Sequence, residues 1–398
     1  TLDFNFASEK KLDPRITYQR TGIASFIDEF GLVKIVSENA PRFDHDPTTR
    51  ECKGLLIEES RTNIHPYSQD LSNWTVESGG SVTANTHISP AGDLTADSIN
   101  GTQSGSSAYD TFGLTSGTTY TFSFFMKYVS GNQNILISIG DAALTRSNTT
   151  FNTSTGALVS NGGGTATVND VVAFPNGWYR YSITRTATSS SSAFIDFNHT
   201  SSTASVVAVW GAQVEEGTFA TSYIPTVDNT DITRGADVVD IDGEDFTDFY
   251  NQTESTIISS HTLLPNVPNA ENVYVYQIQD ASTNNVIRVV DKNSSYSNVA
   301  TGLVLNGGSS QFHFNNTTDS YTKDKVLVAL SVKQDDFAGC HNGGDLSLDN
   351  SGTLPTNFNA LGIGRYPPTG GFELNGHIQR FIYYPKQLSD SQLKTLTS

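Results

Sequence analysis

The sequence is poor in charged side chains, in cysteine and in long apolar runs. Only 16% of its 398 residues are charged, and 41 acidic against 23 basic residues give a net charge of −18. A surface of this sign repels nucleic acid and anionic membranes, so we expect no nucleic-acid partner. No run approaches the roughly 20 apolar residues that cross a bilayer. The opening TLDFNFASEKK lacks the apolar centre of a signal peptide, so we expect neither membrane insertion nor a signal peptide.

The sequence also lacks the motifs of common metal sites and catalytic centres. Cys52 and Cys340 are far apart in the chain, so a disulfide between them is not expected. The eight histidines contain no H-x-x-x-H pair, which argues against zinc. No G-x-S-x-G or P-loop occurs, and the G-x-G of GIGRY lies among predicted strands. We therefore expect no enzymatic activity and no required cofactor.

Short strands are abundant. TTYTFSFFMKYVS alternates apolar and polar residues, and similar β-branched and aromatic runs recur between clusters of Gly, Asn and Ser. This spacing predicts an all-β protein of two consecutive antiparallel β-sandwiches of the jelly-roll type, preceded by a short N-terminal β arm. We place the arm at 1–61, the first sandwich at 62–226 and the second at 227–398. The arm has little material for its own core, so we expect it to pack on the next domain or on a neighbouring subunit.

The stretch WGAQVEEGTFATSYIPT, from Trp210 to Thr226, divides the two sandwiches. It reads as the end of a last strand, a turn at Gly217 and an extended exit that ends at Pro225. Trp210 and Trp178 lie in apolar strands, and we predict that both are core residues. The segment NGWYRYSITRT has aromatic and β-branched residues on both faces and is predicted to be a central strand.

Three segments carry a resemblance: WGAQVEEGTFATSYIPT, GLLIEESRTNI (Gly54 to Ile64) and NGWYR (Asn176 to Arg180). Together they resemble a segment common in bacteriophage virion appendage proteins of the marine, cyanophage type. In those proteins a carbohydrate-binding-module-like sandwich precedes a concanavalin A-like, or laminin-G-like, sandwich. HIQRFIYYPK and the helix LSDSQLKTL, with Ser389 as its N-cap, match the end of the laminin-G-like fold.

The resemblance implies a tail-fibre or surface-fibre protein that binds a host cell-surface polysaccharide during adsorption. It also implies location on the virion, at the tail or the capsid surface, synthesis in the host cytoplasm, other virion proteins as partners, and a homo-oligomer, most often a trimer. A structural decoration or adaptor protein that binds only virion proteins is one alternative. A glycan depolymerase is another.

Two acidic pairs, Glu58–Glu59 and Glu215–Glu216, bear on the depolymerase alternative. Glycoside hydrolysis needs two carboxyls about 5–9 Å apart. Adjacent strand residues point to opposite faces, so neither pair forms that couple by itself. We interpret both pairs as structural, with Arg61 as one partner, although the sequence leaves open a couple built from distant strands.

Two sets of residues are candidates for ligand binding. Aromatic rings near loops can stack on the apolar face of a sugar, and we name four as carbohydrate-binding candidates: Tyr109, Phe112, Tyr128 and Tyr366. Calcium is common in laminin-G-like folds, and acidic loops can supply its oxygen ligands. The candidate calcium ligands are Asp335, Asp336, Asp345 and Asp349.

Overall fold

The computed structural model describes residues 1–141, 146–162, 166–190, 192–268, 272–282, 284–291, 300–315, 325–367 and 370–398. Strand makes up 52% of the structure and helix 6%, with several antiparallel sheets. The predicted all-β class is therefore confirmed. Within the described residues, no helix is both long enough and apolar enough to cross a membrane.

The first sandwich is built from two antiparallel sheets in the part of the chain that the structure describes. One sheet has the spatial order Thr167–Phe174, Trp178–Thr186, Thr119–Ser130, Ser205–Glu216, Ala96–Gly101 and Gly80–His87. The facing sheet has the order Leu158–Gly162, Arg146–Asn152, Asn134–Asp141, Ser192–His199, Ser107–Gly113 and Thr75–Glu77. Strand Ser205–Glu216 has the extent that its β-branched and aromatic run predicts.

The second sandwich also has two main antiparallel sheets over the described residues. The first has the order Ser347–Asp349, Asp336–His341, Val326–Lys333, Glu254–Leu263, Gly376–Tyr384, Cys52–Ile57 and Phe43–His45, with Leu2–Phe4 also paired to Gly376–Tyr384. The other has the order Thr17–Gln19, Val238–Asp242, Ala360–Ile363, Val273–Gln279, Val286–Asp291, Thr301–Asn306 and Ser309–Asn315.

Short elements complete the described structure. Two small ladders pair Arg61–Asn63 with Ile232–Arg234, and Ala24–Ile27 with Val33–Val36. The α-helices are Phe6–Glu9, Gly243–Thr247 and Asp390–Leu396, and 3-10 turns occupy Leu71–Asn73 and Pro175–Gly177. The predicted C-terminal helix is confirmed: the N–H of Ser389 donates to Gln392 Oε1 at 3.0 Å, as in a capping box.

The arm takes part in both sandwiches. Its first strand, Leu2–Phe4, pairs with Phe381–Tyr383 of the second sandwich. Phe6 and Leu55 are buried in the same core as the strands of that sandwich. The hairpin between Ala24 and Val36 instead covers the first sandwich, where Val33 joins a separate apolar cluster. The arm is thus integrated into the fold of its own chain.

Both faces of strand Thr119–Ser130 are buried. Phe122 and Phe124 point between the sheets of the first sandwich, in its main core. Phe125 points the other way and packs with Trp210 and Trp178 under the arm hairpin. Each tryptophan is only 1% exposed, which confirms the predicted core roles. Strand Trp178–Thr186 is paired on both sides, with Thr167–Phe174 and Thr119–Ser130, which agrees with its prediction as a strand inside the sheet.

Candidate functional site

The four predicted sugar-stacking residues do not come together. Tyr109 and Tyr128 are partly buried on strands of the first sandwich, and Tyr128 Oη donates to the Gly131 carbonyl at 3.2 Å. Tyr366 lies in a loop of the second sandwich. Phe112 does not lie at the surface, as a sugar-stacking residue would have to. It is 8% exposed, and its ring centroid lies 5.8 Å from that of Phe122. The alternation of strand Ser107–Gly113 turns it into the core, so its ring has no open face.

Tyr366 belongs to an aromatic cluster that the sequence did not reveal. Its ring centroid lies 5.1 Å from that of Tyr274 and 6.1 Å from that of Phe372, and the latter two are 5.9 Å apart. We call Tyr274, Tyr366 and Phe372 the aromatic platform. Tyr274 comes from strand Val273–Gln279, whereas the other two flank the loop that follows strand Ala360–Ile363. The platform therefore joins residues almost a hundred positions apart.

Phe372 is the unusual member of the platform. Its side chain is 54% exposed, and its backbone has φ of 58°, in the left-handed region that aromatic residues rarely adopt. The conformation is fixed from both sides: the N–H of Tyr274 donates to the Phe372 carbonyl at 3.0 Å, and the N–H of Tyr366 donates to the Gly371 carbonyl at 3.3 Å. An exposed ring held in a strained conformation points to a functional role.

Polar groups border the platform. Arg288 Nη1 donates to Tyr274 Oη at 3.1 Å, and its guanidinium carbon lies 5.5 Å from the centre of that ring. Burial raises the pKa of Tyr274, and the nearby Arg288 charge opposes this rise, so the phenol stays neutral at ordinary pH. Beneath the loop, Glu373 Oε1 accepts the N–H of Gly371 at 2.9 Å, and burial raises the pKa of this carboxyl. The arrangement combines apolar faces with hydrogen-bond donors and acceptors.

Glu58 and Glu215, the first residues of the two acidic pairs, have a structural role, which agrees with the interpretation from the sequence. Glu58 has no exposed side-chain surface; it accepts from Arg42 Nη1 at 2.6 Å and from the N–H of Ser222 at 2.7 Å, and pairs with Arg234 at 2.9 Å. Burial alone would raise the pKa of Glu58, but the Arg234 and Arg42 guanidiniums outweigh it and hold the pKa well below its ordinary value. Glu215 is likewise buried and accepts from the hydroxyl of Thr221 at 2.7 Å.

Glu58 belongs to a larger buried charge cluster. Arg42 Nη2 also donates to Asp237 at 2.5 Å, and Asp237 lies 3.5 Å from Arg20. We call Arg20, Arg42, Glu58, Arg234 and Asp237 the junction network. It joins the arm to the segment that enters the second sandwich. Charges enclosed this well must be paired, because an unpaired buried charge is strongly destabilising.

Glu59 and Glu216, the second residues of the two acidic pairs, line one open groove of about 710 Å³ between the sandwiches. Glu59 forms an ion pair with Arg61, as predicted, and accepts from Asn375 Nδ2 at 3.0 Å. Glu216 lines the same groove, next to Gly217. Gly217 has φ of 128°, and a Cβ at this position would overlap the Arg61 guanidinium, which explains the glycine in the predicted turn.

Three of the four predicted calcium ligands have separate local partners. Asp335 Oδ1 accepts the N–H of Gly352 at 3.2 Å, and Asp349 Oδ1 accepts the N–H of Ser351 at 2.9 Å. Asp345 lies 3.5 Å from Lys394, and Asp336 begins an exposed strand end. Among the described residues, no group of three or more carboxylate, imidazole or thiol side chains could hold a metal ion. The four predicted residues therefore do not form such a group.

Comparisons with known proteins give similarities of fold. No protein-family model matches the chain, and no curated protein is significantly similar to it. A carbohydrate-binding module, CBM40, of the Ruminococcus gnavus IT-sialidase matches with a TM-score of 0.33 and 14% identity, over 39% of this chain and 87% of that one. Domain 4 of AbnA, an extracellular arabinanase of Geobacillus stearothermophilus solved with arabinotriose, has a TM-score of 0.31 and 15% identity, over 41% and 73%.

A third similar structure is the LG1-3 region of the laminin alpha2 chain. It has a TM-score of 0.27 and 8% identity, and the match covers 72% of this chain and 66% of that one. At these identities the likeness concerns fold alone. What this chain binds must be inferred from its own residues.

Proposed function

We propose that the protein binds glycan through the aromatic platform, without chemical turnover. One observation carries this proposal: Phe372 is 54% exposed and held at φ of 58° beside Tyr366 and Tyr274. A sugar ring has an apolar face that stacks on such rings, and its hydroxyls bond to groups such as the guanidinium of Arg288. Covering Phe372 with a sugar would also remove its apolar surface from water.

We propose further that this binding serves adsorption of a bacteriophage. In this proposal the chain is a tail-fibre or surface-fibre protein of the virion, and its glycan is a bacterial cell-surface polysaccharide. The resemblance of the segments Gly54–Ile64, Asn176–Arg180 and Trp210–Thr226 to virion appendage proteins supports it. A shallow site binds weakly, so several copies, most simply a trimer attached to other virion proteins, would supply avidity. Light scattering on the intact chain tests the oligomeric state; a monomer at all concentrations contradicts the trimer.

Binding to an array of bacterial surface polysaccharides tests the platform. Phe372→Ala should weaken binding about tenfold, because an aromatic contact contributes roughly 0.5–1.5 kcal/mol. Phe30→Ala is the matched control, since Phe30 is a 61% exposed phenylalanine in the arm, outside the platform. Equal binding by the wild type and both variants would refute the platform as the glycan site.

The absence of turnover needs a separate measurement. We expect no reducing ends to appear when the protein is incubated with the polysaccharide that it binds. Glu59 and Glu216 come from distant strands and line one groove, so they are the carboxylates to test as a hydrolytic couple. Release of reducing ends that is abolished in Glu216→Gln would replace our proposal with a depolymerase.

A further inference from the structure

A cavity of about 160 Å³ lies at the meeting point of the arm, the first sandwich and the second. Its walls come from the arm hairpin, the outer face of strand Trp178–Thr186, the exit segment near Tyr223 and the turn at Pro265. One water needs about 10–15 Å³ of such volume, so the cavity has room for a larger molecule. It is separate from the aromatic platform and from the groove lined by Glu59.

Among the residues that the structure describes, three buried polar atoms in the walls of this cavity have no hydrogen-bond partner. They are His45 Nε2, Arg180 Nε and Ser182 Oγ. His45 is 4% exposed and Ser182 is 6% exposed, so bulk water does not serve them. Buried polar atoms are normally satisfied, and three such atoms around one cavity indicate a polar occupant.

The chemistry of these atoms defines what the occupant must offer. His45 Nδ1 lies 3.0 Å from the Ile27 carbonyl, which can only accept, so Nδ1 carries the proton. In the neutral ring Nε2 is therefore an acceptor, whereas Arg180 Nε is a donor and the Ser182 hydroxyl is both. Hydroxyl groups on the occupant can satisfy all three, because each hydroxyl both donates and accepts.

The remaining walls indicate a neutral molecule with an apolar face. Phe174 and Val172 supply apolar surface. The Asp44 carboxylate is already paired with His377 at 2.8 Å, and Glu58 is held by the junction network. Lys53 and Arg180 bring positive charge to the walls and Asp170 brings negative charge, so charges of both signs line the cavity.

We infer that this cavity binds one neutral, polyhydroxylated molecule of the size of a single sugar residue. The site rests on its own three orphaned atoms and does not depend on glycan binding at the platform. Its occupant would contact the arm and both sandwiches at once. Binding should therefore stabilise the whole chain against unfolding.

The test is calorimetric titration of the full chain with a panel of neutral monosaccharides and, for comparison, anionic monosaccharides. We expect at least one to bind, to raise the melting temperature and to bind about fivefold more weakly to Ser182→Ala, the size expected for one lost hydrogen bond. Ser147→Ala is the matched control, because Ser147 Oγ is also buried with no partner in the described part of the chain, but it lies on the opposite sheet. Phe372→Ala should bind the monosaccharide as the wild type does, which separates this site from the platform.

A second variant, His45→Gln, keeps the test valid if Ser182→Ala does not fold, and it should also weaken binding. No binding of any neutral monosaccharide would overturn the inference. Binding that is equal in wild type and in both cavity variants would overturn it too, as would binding confined to anionic sugars.

Discussion

Two groups of aromatic residues in this molecule have nearly the same ring spacing and opposite surroundings. The ring centroid of Trp210 lies 5.3 Å from that of Phe125 and 4.7 Å from that of Tyr223, and Trp210 is 1% exposed. In the platform the centroids are 5.1–6.1 Å apart, yet Phe372 is 54% exposed. Ring contacts alone therefore do not separate a core from a binding surface. The covering layer does: the arm hairpin and the exit segment lie over the first group, and no described residue plays this part for Phe372.

The largest effect should follow from removing the arm. A chain that starts at Thr62 loses the strands Leu2–Phe4 and Cys52–Ile57 and the buried Phe6. We expect the second sandwich, and with it the platform, to be unfolded, whereas the main core of the first sandwich contains no arm residue and should remain. Limited proteolysis with mass spectrometry should show protection confined to about 62–226. Wild-type thermal stability and glycan binding in the truncated chain would contradict this.

The core role of the buried aromatic group around Trp210 can be tested with Trp210→Ala. Loss of a buried indole should lower the free energy of unfolding by about 3–5 kcal/mol. At temperatures where the variant is folded, glycan binding should be unchanged, because Trp210 lies on the first sandwich. The readouts are chemical unfolding and array binding. If stability were unchanged and binding abolished, Trp210 would be a sugar-binding residue and the contrast between the two groups would fail.

Acid should weaken the junction network. The folded-state pKa of Glu58 is depressed below its ordinary value of 4.5, so its interactions stabilise the protein above pH 4.5. This contribution is lost as the pH falls toward the lowered folded-state pKa. Burial raises the pKa of other carboxyls, such as Asp196, and their contribution to stability changes with pH in the opposite direction. The effect of Glu58 is therefore isolated by comparing the pH profiles of the wild type and a Glu58 variant. Glu58→Gln should be less stable at neutral pH and lose less on acidification; parallel pH profiles would exclude Glu58 as a source of the acid sensitivity.

The smallest effect concerns the strained backbone of the platform. Phe372→Gly and Phe372→Ala both lack the ring, but only glycine tolerates φ of 58° freely. We expect the Gly variant to be about 1 kcal/mol more stable than the Ala variant, the reverse of the usual order. Both should bind glycan weakly. Urea unfolding measures the difference, and an Ala variant that is the more stable would mean that position 372 carries no strain.

Local sequence pattern was sufficient for much of the fold. The run SVVAVWGAQVEE has the extent of the observed strand, and its alternation placed Trp210 on the face opposite Val209. The same alternation would have placed Phe112 with Ala108 in the core, had the strand Ser107–Gly113 been recognised. Its neighbours are polar, and a half-buried strand of this kind gives a weak signal.

The features that sequence reasoning missed depend on contacts between distant segments. The aromatic platform needs Tyr274 beside Phe372, and no local period reports that meeting. One signal was present: an aromatic directly after Gly370 and Gly371, in a loop, is exposed more often than one in a strand. The charge pairs of the junction network, such as Arg42 with Asp237, likewise bring together residues that only the tertiary fold makes neighbours.

The pairing of Leu2–Phe4 with Phe381–Tyr383 also sets an order of events during synthesis. The first sandwich can close as soon as strand Ser205–Glu216 has left the ribosome, because its main core is drawn from residues 71–214. The arm is made before both sandwiches, but its strand Leu2–Phe4 must wait for strand Gly376–Tyr384 before this ladder can form. Contacts of such long sequence separation fold slowly, so Leu2–Phe4 stays unpaired longer than the strands of the first sandwich.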